Sequence, residues 1–203
     1  MLGITMRAVL MGAALLVSGA WSAASASTVT TNCPGTASTA DREFTVTTVS
    51  PGASCIAWGP GNLNGNPNGG NPDPLFAILG PGFQLIDMTG STPDILSLTG
   101  AGTSSGMWSF VLPAAPAGKL WSDIVLALRS SVAQLDPDWA AFGLQNGVTS
   151  GSWTIAAGRQ PLAQANLYGR LVDIPTAVPL PAGGLMLIAG LGALAAARRR
   201  KAG

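Results

Sequence analysis

The sequence contains no histidine. This absence excludes Ser-His-Asp and Cys-His catalysis, and it excludes every metal centre that needs an imidazole ligand. No Gly-x-Ser-x-Gly elbow, P-loop or dinucleotide fingerprint occurs either. We therefore expect a protein that is not an enzyme and that carries no cofactor.

Aspartate pairs are the catalytic alternative that remains. Two carboxyl groups can hydrolyse a glycosidic bond. Asp87 lies near Asp94 in the sequence, and Asp136 and Asp138 flank Pro137. The Asp-Pro-Asp segment is more typical of a turn between strands than of an acid/base pair. A glycoside hydrolase that uses aspartates alone is therefore only the third functional hypothesis.

Charge is scarce, at 9% of the residues against about 25% in ordinary soluble domains. Residues 27–176 hold nine acidic and five basic side chains, a net charge of −4, although the whole chain sums to +1. Nucleic-acid binding relies on a basic patch that neutralises phosphates. We therefore expect no nucleic-acid partner.

The first 26 residues have the order of features found in a secretory signal peptide. Arg7 precedes an uncharged apolar run, and Ala24 and Ala26 form an A-x-A cleavage pattern that leaves Ser27 as the first mature residue. This pattern predicts export through the Sec translocon and cleavage by signal peptidase. A buried N-terminal helix is the alternative.

Residues 177–203 have the features of a membrane segment. The 20 residues from Val178 to Ala197 contain no charge and are enough to cross a hydrocarbon core of about 30 Å. The basic side chains that follow are Arg198, Arg199, Arg200 and Lys201. Such a cluster stays on the cytoplasmic side, which places the body of the protein outside. A core helix with a solvated basic end is the alternative.

The two cysteines, Cys33 and Cys55, both lie in the part that would be exported. Outside the cytoplasm such a pair is expected to oxidise. A disulfide across a loop of this size would stabilise the fold by about 3 kcal/mol in the chain-entropy model. Two free thiols are the alternative, and two sulfurs without histidine leave a zinc ion short of ligands.

Residues 27–176 contain short apolar runs separated by Gly, Pro, Ser, Thr and Asn. The runs are Glu43–Val49, Phe83–Asp87, Met107–Leu112, Asp123–Arg129, Trp139–Leu144, Ser152–Ala157 and Asn166–Val172. Runs of this length and spacing predict an all-β fold with a single β-sandwich of the jelly-roll or Ig-like kind. Trp121–Arg129 also fits a helix, but its central β-branched residues favour a strand.

The segment Gly59–Pro74 is too rich in Gly and Pro for a strand interior or a helix. Its asparagine oxygens allow a calcium interpretation for Asn62–Asp73. An EF-hand loop needs glycine at position 6, where a start at Asn62 places Pro67, and a carboxylate at position 12, where a start at Asn64 places Leu75. A solvated, turn-rich loop is the expectation, and Ca²⁺ binding is the alternative.

A short sequence pattern occurs twice, at Ser105–Phe110 and at Ser150–Ile155. Both segments have the pattern Ser-Gly-x-Trp-(Ser/Thr)-apolar. Glycine permits a tight entry turn, and tryptophan begins each strand with a large apolar side chain. We expect two similar strands that each bury a tryptophan. A paired platform that stacks on a ligand is the alternative.

The C-terminal segment resembles the VPLPA-CTERM variant of the PEP-CTERM sorting domains. The matching motif is Val178, Pro179, Leu180, Pro181 and Ala182. Motif, apolar span and basic end occur in the family's order. The resemblance implies a Gram-negative source that makes exopolysaccharide, and cleavage near the motif by an exosortase. Roughly residues 55–170 also resemble the β-rich ectodomains attached to such tails, which share no established activity.

Three functional hypotheses follow. The first is a non-catalytic exported protein of the cell envelope or extracellular matrix, processed by an exosortase and associated with exopolysaccharide or biofilm. Its location would be the inner membrane and periplasm during processing, then the cell surface or the medium. The second is a surface carbohydrate-binding or adhesin module, for which Trp58, Trp121 or Trp139 would have to be solvent-exposed. The third is the aspartate-based hydrolase.

Overall fold

The computed structural model describes residues 27–35, 40–68, 70–131, 135–156, 161–175 and 190–191. The strands are β1 (Thr28–Cys33), β2 (Glu43–Val49), β3 (Ala53–Gly59), β4 (Phe83–Met88), β5 (Leu96–Leu98), β6 (Ser105–Phe110), β7 (Lys119–Ser130), β8 (Trp139–Leu144), β9 (Ser150–Ala156) and β10 (Leu162–Asp173). A short helix, α1 (Pro74–Leu79), lies between β3 and β4 in the chain.

The strands form two five-stranded sheets. The front sheet has the order β1-β2-β9-β6-β5, and the back sheet has the order β3-β8-β7-β10-β4. All neighbouring strands are antiparallel. The predicted all-β sandwich is thereby confirmed.

The front sheet has one buried and one outward face. In β2 the buried side chains are Phe44, Val46 and Thr48, and the residues between them are partly exposed. This alternation is what an antiparallel strand with one wet face requires. The inner face packs against Leu126, Leu128 and other residues of the back sheet, which form the main core.

The back sheet is buried on both faces at its centre. In β7, Leu126 and Leu128 face the main core, whereas Val125 and Ala127 belong to a second apolar cluster on the opposite face. That cluster is covered by the segment 60–82, which contributes Leu63 and Leu75. Burial on both faces explains why the apolar run in β7 is continuous rather than alternating.

The two Ser-Gly-x-Trp segments pair with each other in the front sheet. Gly106 lies opposite Trp153, and Trp108 lies opposite Gly151. Trp108 and Trp153 are 2% and 1% exposed. The expectation that each strand buries its tryptophan is confirmed.

The predicted terminal segments lie outside the described residues. These are the signal peptide with Ala24 and Ala26, the sorting motif from Val178 to Ala182, and the basic cluster from Arg198 to Lys201. Within the predicted C-terminal helix only Gly190 and Leu191 are described, and both are helical. No helix found in the described ranges is both long and apolar enough to cross a membrane.

Candidate functional site

The predicted disulfide between Cys33 and Cys55 is present, with 5.3 Å between the two Cα atoms. Cys33 ends β1 in the front sheet and is fully buried, while Cys55 lies in β3 of the back sheet. The bond therefore joins the two layers of the sandwich. A disulfide in this position indicates an oxidising environment outside the cytoplasm.

Asp87 supports the chain between β4 and β5. It is 4% exposed. Its Oδ1 accepts the amide of Met88 and the hydroxyl of Ser91, and its Oδ2 accepts the amides of Ile95 and Leu96, each at 2.7 Å. Asp94, by contrast, is exposed. With four hydrogen bonds, the Asp87 carboxylate stabilises the connection between β4 and β5.

Asp136 and Asp138 lie in the connection between β7 and β8, beside the buried Arg42. Arg42 is 1% exposed and donates from Nη1 to the carbonyl of Pro137 at 2.9 Å. Burial lowers the pKa of Arg42, and the charges of Asp138 and Asp136 oppose that shift. Oδ2 of Asp138 also accepts the amide of Gly61 at 2.7 Å. The two aspartates therefore support a structural turn, as the Asp-Pro-Asp pattern predicts.

Asp73 organises the Gly- and Asn-rich loop. It caps α1, where its Oδ1 accepts the amide of Leu75. Its Oδ2 accepts the amide of Gly65 at 2.8 Å and the hydroxyl of Tyr168 at 2.6 Å. Asp73 is 1% exposed and Leu63 is 1% exposed. The loop is therefore not simply solvated, because part of it is packed into the molecule.

Several of the oxygens considered for calcium accept hydrogen bonds from elsewhere in the described structure. Asn64 Oδ1 accepts the amide of Asn66, and Asn66 Oδ1 accepts the amide of Asn68. A Ca²⁺ ion would have to displace these bonds and those of Asp73. The described parts of the chain bring no three His, Cys, Asp or Glu side chains into a group that fits a metal.

The three tryptophans relevant to sugar binding differ in exposure. Trp139 is 2% exposed and donates its indole N–H to the carbonyl of Pro60. Trp121 is half-buried and donates to the carbonyl of Pro113. Trp58 is 48% exposed. Of the three, only Trp58 is largely exposed, so these tryptophans do not form one shared aromatic face.

A groove crosses the outer face of the back sheet beside α1, and we call it the back groove. Its volume is about 330 Å³, within the range of small-molecule sites. The residues that define it are Ile56, Leu79, Phe83, Asp123, Gly143 and Gln145. A second cleft, lined by Pro51 and Asn146, shares Asp123 and Gln145 with it. The two clefts form one surface with an apolar end and a polar end.

Asp123 owes its place in the back groove to a bulge. The pairing of β7 with β10 shifts between Tyr168 and Arg170, so β7 has one extra residue at this point. Asp123 has a φ of 52°, in the left-handed region. A bulge redirects a side chain and is common beside binding sites. Among the described residues, Asp123 is the one non-glycine residue with a positive φ.

Arg170 holds Asp123 in position. Its Nε donates to Oδ2 of Asp123 at 3.0 Å, and its Nη2 contacts the same oxygen. The guanidinium also lies over the ring of Phe83, 5.3 Å from the centroid. Oδ1 of Asp123 has no hydrogen-bond partner among the described residues. The ion pair therefore occupies one carboxylate oxygen and leaves the other toward solvent.

Gln145 and Asn146 supply further polar groups. Both are exposed and lie in the turn between β8 and β9. Their side-chain amides make no hydrogen bond within the part of the chain that the structure describes. Each amide offers a donor and an acceptor in one plane.

A larger cleft of about 570 Å³ also borders α1, next to the Gly- and Asn-rich loop. Prolines and Phe76 form much of its wall, and Asp73 is its ionisable residue. Both oxygens of Asp73 already accept hydrogen bonds. The back groove, which has polar groups still available, is therefore the better candidate site.

The back groove could not be assembled from the sequence, because its residues come from five separate segments. A local signal did exist at Asp123. A charged residue directly before a continuous apolar run marks the position where β7 changes from a partly exposed to a buried strand.

Comparison with known proteins finds no matching family model, no matching curated protein and no matching solved structure.

Proposed function

We propose that this protein is an exported, non-catalytic component of the cell envelope or extracellular matrix. The observation that carries the proposal is the disulfide between Cys33 and Cys55, which links the two sheets. Such a bond persists in oxidising compartments and is rare in the cytoplasm. The signal-peptide pattern in residues 1–26 supports the same location.

The proposal includes a route to that location. The Sec translocon and signal peptidase act on the N-terminus, and an exosortase cleaves near Val178–Ala182 while the following apolar span and basic end hold the chain in the inner membrane. The resemblance of these residues to the VPLPA-CTERM tail supports this route. The product then joins the exopolysaccharide at the surface of a Gram-negative cell or in the medium.

The proposal also includes a jelly-roll arrangement for the sandwich. β2 pairs with β9 in the front sheet, and β3 pairs with β8 in the back sheet. β6 and β7 then pair with the other edges of β9 and β8. A two-stranded ribbon that folds over from one sheet to the other in this way is typical of a jelly roll.

The test is the mass and location of the native protein in an exosortase-containing host. Deletion of 178–203 should leave a secreted protein that is no longer processed or retained. Substitution of Pro179 and Pro181 by alanine should abolish C-terminal cleavage, and Pro175→Ala, just outside the motif, is the matched control. A mass and location that stay the same after the deletion would overturn the sorting proposal.

A carbohydrate-binding module is the second candidate function. The back groove favours it, because apolar walls and available amide groups occur side by side in an exposed cleft. The carboxylates of Asp87 and Asp138 accept backbone amides. The backbone carbonyl of Asp136 accepts the amides of Asp41 and Arg42, and its charge acts on the Arg42 guanidinium. We propose no hydrolase role for these aspartates.

A further inference from the structure

We propose that the back groove binds a neutral sugar residue of a polysaccharide. The inference rests on the second candidate function above and assigns it a site and a class of ligand.

The apolar end of the groove fits one face of a pyranose ring. Ile56, Leu79 and Phe83 form this end. Ile56 is 39% exposed although it is a large aliphatic side chain. The axial C–H groups of a sugar ring form an apolar face that packs on such side chains, and the burial of this face is favourable.

Gly143 lies on the floor of the groove, under the side chains of its neighbours on β3. A Cβ atom at this position would lie 3.2 Å from Cγ2 of Ile56 and 3.3 Å from Oγ of Ser54. The absence of a side chain at Gly143 therefore makes room for Ile56, which forms part of the apolar wall of the groove.

The polar end of the groove fits the hydroxyl groups of the same ring. Gln145 and Asn146 present side-chain amides that make no hydrogen bond within the described structure, and Asp123 presents its Oδ1 atom, since Arg170 occupies only Oδ2. Neighbouring hydroxyls of a sugar can each donate and accept, so they match amide and carboxylate groups placed side by side. A small number of such groups in a largely apolar site sets the orientation and specificity of a ligand.

The charge of the groove favours a neutral ligand. Asp123 is the charged residue among those that line the two clefts, and Arg170 already compensates it through a direct ion pair. A uronic acid would meet the Asp123 carboxylate, and an amino sugar would compete with Arg170. A neutral sugar can use the available Oδ1 atom without disturbing the pair.

The site is held in place before a ligand arrives. The bulge fixes the backbone of Asp123, Arg170 fixes its carboxylate, and Phe83 packs against Arg170. Fixing the binding groups in advance reduces the entropy lost on binding. A positive φ at a non-glycine residue costs free energy, and such residues cluster at functional sites.

The experiment measures binding of the full chain, purified from an exporting host, to immobilised polysaccharides. The probes are neutral dextran, mannan and galactan, with anionic alginate as the comparison. We expect binding to at least one neutral polysaccharide and weaker binding to alginate. Binding to none of the neutral probes, or preferential binding to alginate, would overturn the proposal.

Variants locate the site. Gln145→Ala and Asp123→Ala should each weaken binding about tenfold, which corresponds to about 1.4 kcal/mol. Gln84→Ala is the matched control, because Gln84 is also an exposed glutamine, lies in β4 of the back sheet and does not line the groove. If Gln145→Ala binds as the unmodified protein does, the groove is not the site, and any sugar binding occurs elsewhere.

The sugar-binding measurements and the test of export can fail independently of each other. Because Gln145 lies in an exposed turn, Gln145→Ala is expected to fold, which thermal unfolding will check. A protein that is exported and processed yet binds no neutral sugar contradicts this inference alone. A protein that binds sugar but is not processed contradicts the sorting proposal alone.

Discussion

Gly106 lies directly opposite Trp153 where β6 pairs with β9. A Cβ atom on Gly106 would lie 2.0 Å from the carbonyl oxygen of Thr99 and 2.9 Å from Nε1 of Trp153. That same carbonyl accepts the indole N–H at 3.3 Å. The repeated Ser-Gly-x-Trp pattern thus has a structural reason, because each glycine makes room for the tryptophan of the other copy.

Gly106→Ala should lower the free energy of unfolding by about 1–3 kcal/mol, because a methyl group would overpack this contact and displace Thr99 from the indole. Urea unfolding followed by tryptophan fluorescence measures the change. Ser109→Ala, on the exposed face of the same strand, is the control and should change stability by less than about 0.5 kcal/mol. Equal stability of the two variants would show that the close approach does not matter.

Tyr168 should make the fold sensitive to alkaline pH. Its hydroxyl is fully buried between Asp73 and Asn166, and burial raises its pKa well above the ordinary value, with the Asp73 hydrogen bond and charge acting in the same direction. The folded pKa exceeds the unfolded value, so the contribution to stability is complete below about pH 10 and is lost as the pH rises above it.

This loss should reach at most about 1.4 kcal/mol per pH unit. Unfolding in urea at several pH values measures it, and Tyr168→Phe should lack this slope. The chain has a single tyrosine, so tyrosinate absorbance reports this residue alone and should develop only on unfolding. Titration of the folded protein near pH 10 would contradict the buried network.

The same Tyr168→Phe variant should be less stable than the unmodified protein at neutral pH, by about 1–3 kcal/mol. Without the hydroxyl, Asp73 loses a hydrogen-bond donor and the Asn166 amide loses an acceptor in a buried place. Phe76→Leu is a useful comparison, because it alters the ring packed edge-on against Tyr168 and keeps the hydrogen bonds. A neutral-pH stability equal to that of the unmodified protein would refute this network.

Removal of the disulfide should lower stability by about 3 kcal/mol in the chain-entropy model, given the separation of 22 residues between the cysteines. The double variant Cys33→Ala/Cys55→Ala is compared with the oxidised protein by urea unfolding. A reductant should destabilise the unmodified protein and leave the variant unchanged. A difference below about 1 kcal/mol would show that the link between the sheets adds little.

Arg42→Met should destabilise the fold by about 1–3 kcal/mol, because it leaves the buried carbonyl of Pro137 without this donor. Lys119→Met is the control, since Lys119 pairs with Asp173 at the surface and such pairs contribute about 0–1 kcal/mol. Thermal unfolding of the two variants compares their losses of stability. If both variants lose equally little stability, the hydrogen bond from Arg42 to the carbonyl of Pro137 does not support the fold.

Local patterns predicted much of the sandwich. β2 and β8 have the predicted bounds, because the first alternates and the second is a short apolar run. Asp123–Arg129 and Asn166–Val172 identified the buried centres of β7 and β10, but both strands extend further. The added residues mix polar and apolar, buried and exposed side chains without a regular alternation, so only pairing with a neighbouring strand shows that they are extended.

Two kinds of feature could not be predicted. β1 contains four polar residues in six, and it is held by pairing with β2 and by the disulfide rather than by its own pattern. The Gly- and Asn-rich loop was predicted as a loop, but its burial depends on Tyr168 and Asn166, about a hundred residues away in the chain. The back groove is equally non-local.

The pairing of β2 with β9 also governs when this protein can fold. Phe44 lies opposite Ile155, and Ala53 lies opposite Leu144. Neither sheet can close before most of the chain has been synthesised, and folds dominated by such distant pairs form slowly. Under the export route proposed above, this slow folding is an advantage, because a polypeptide has to be unfolded to pass through a translocon.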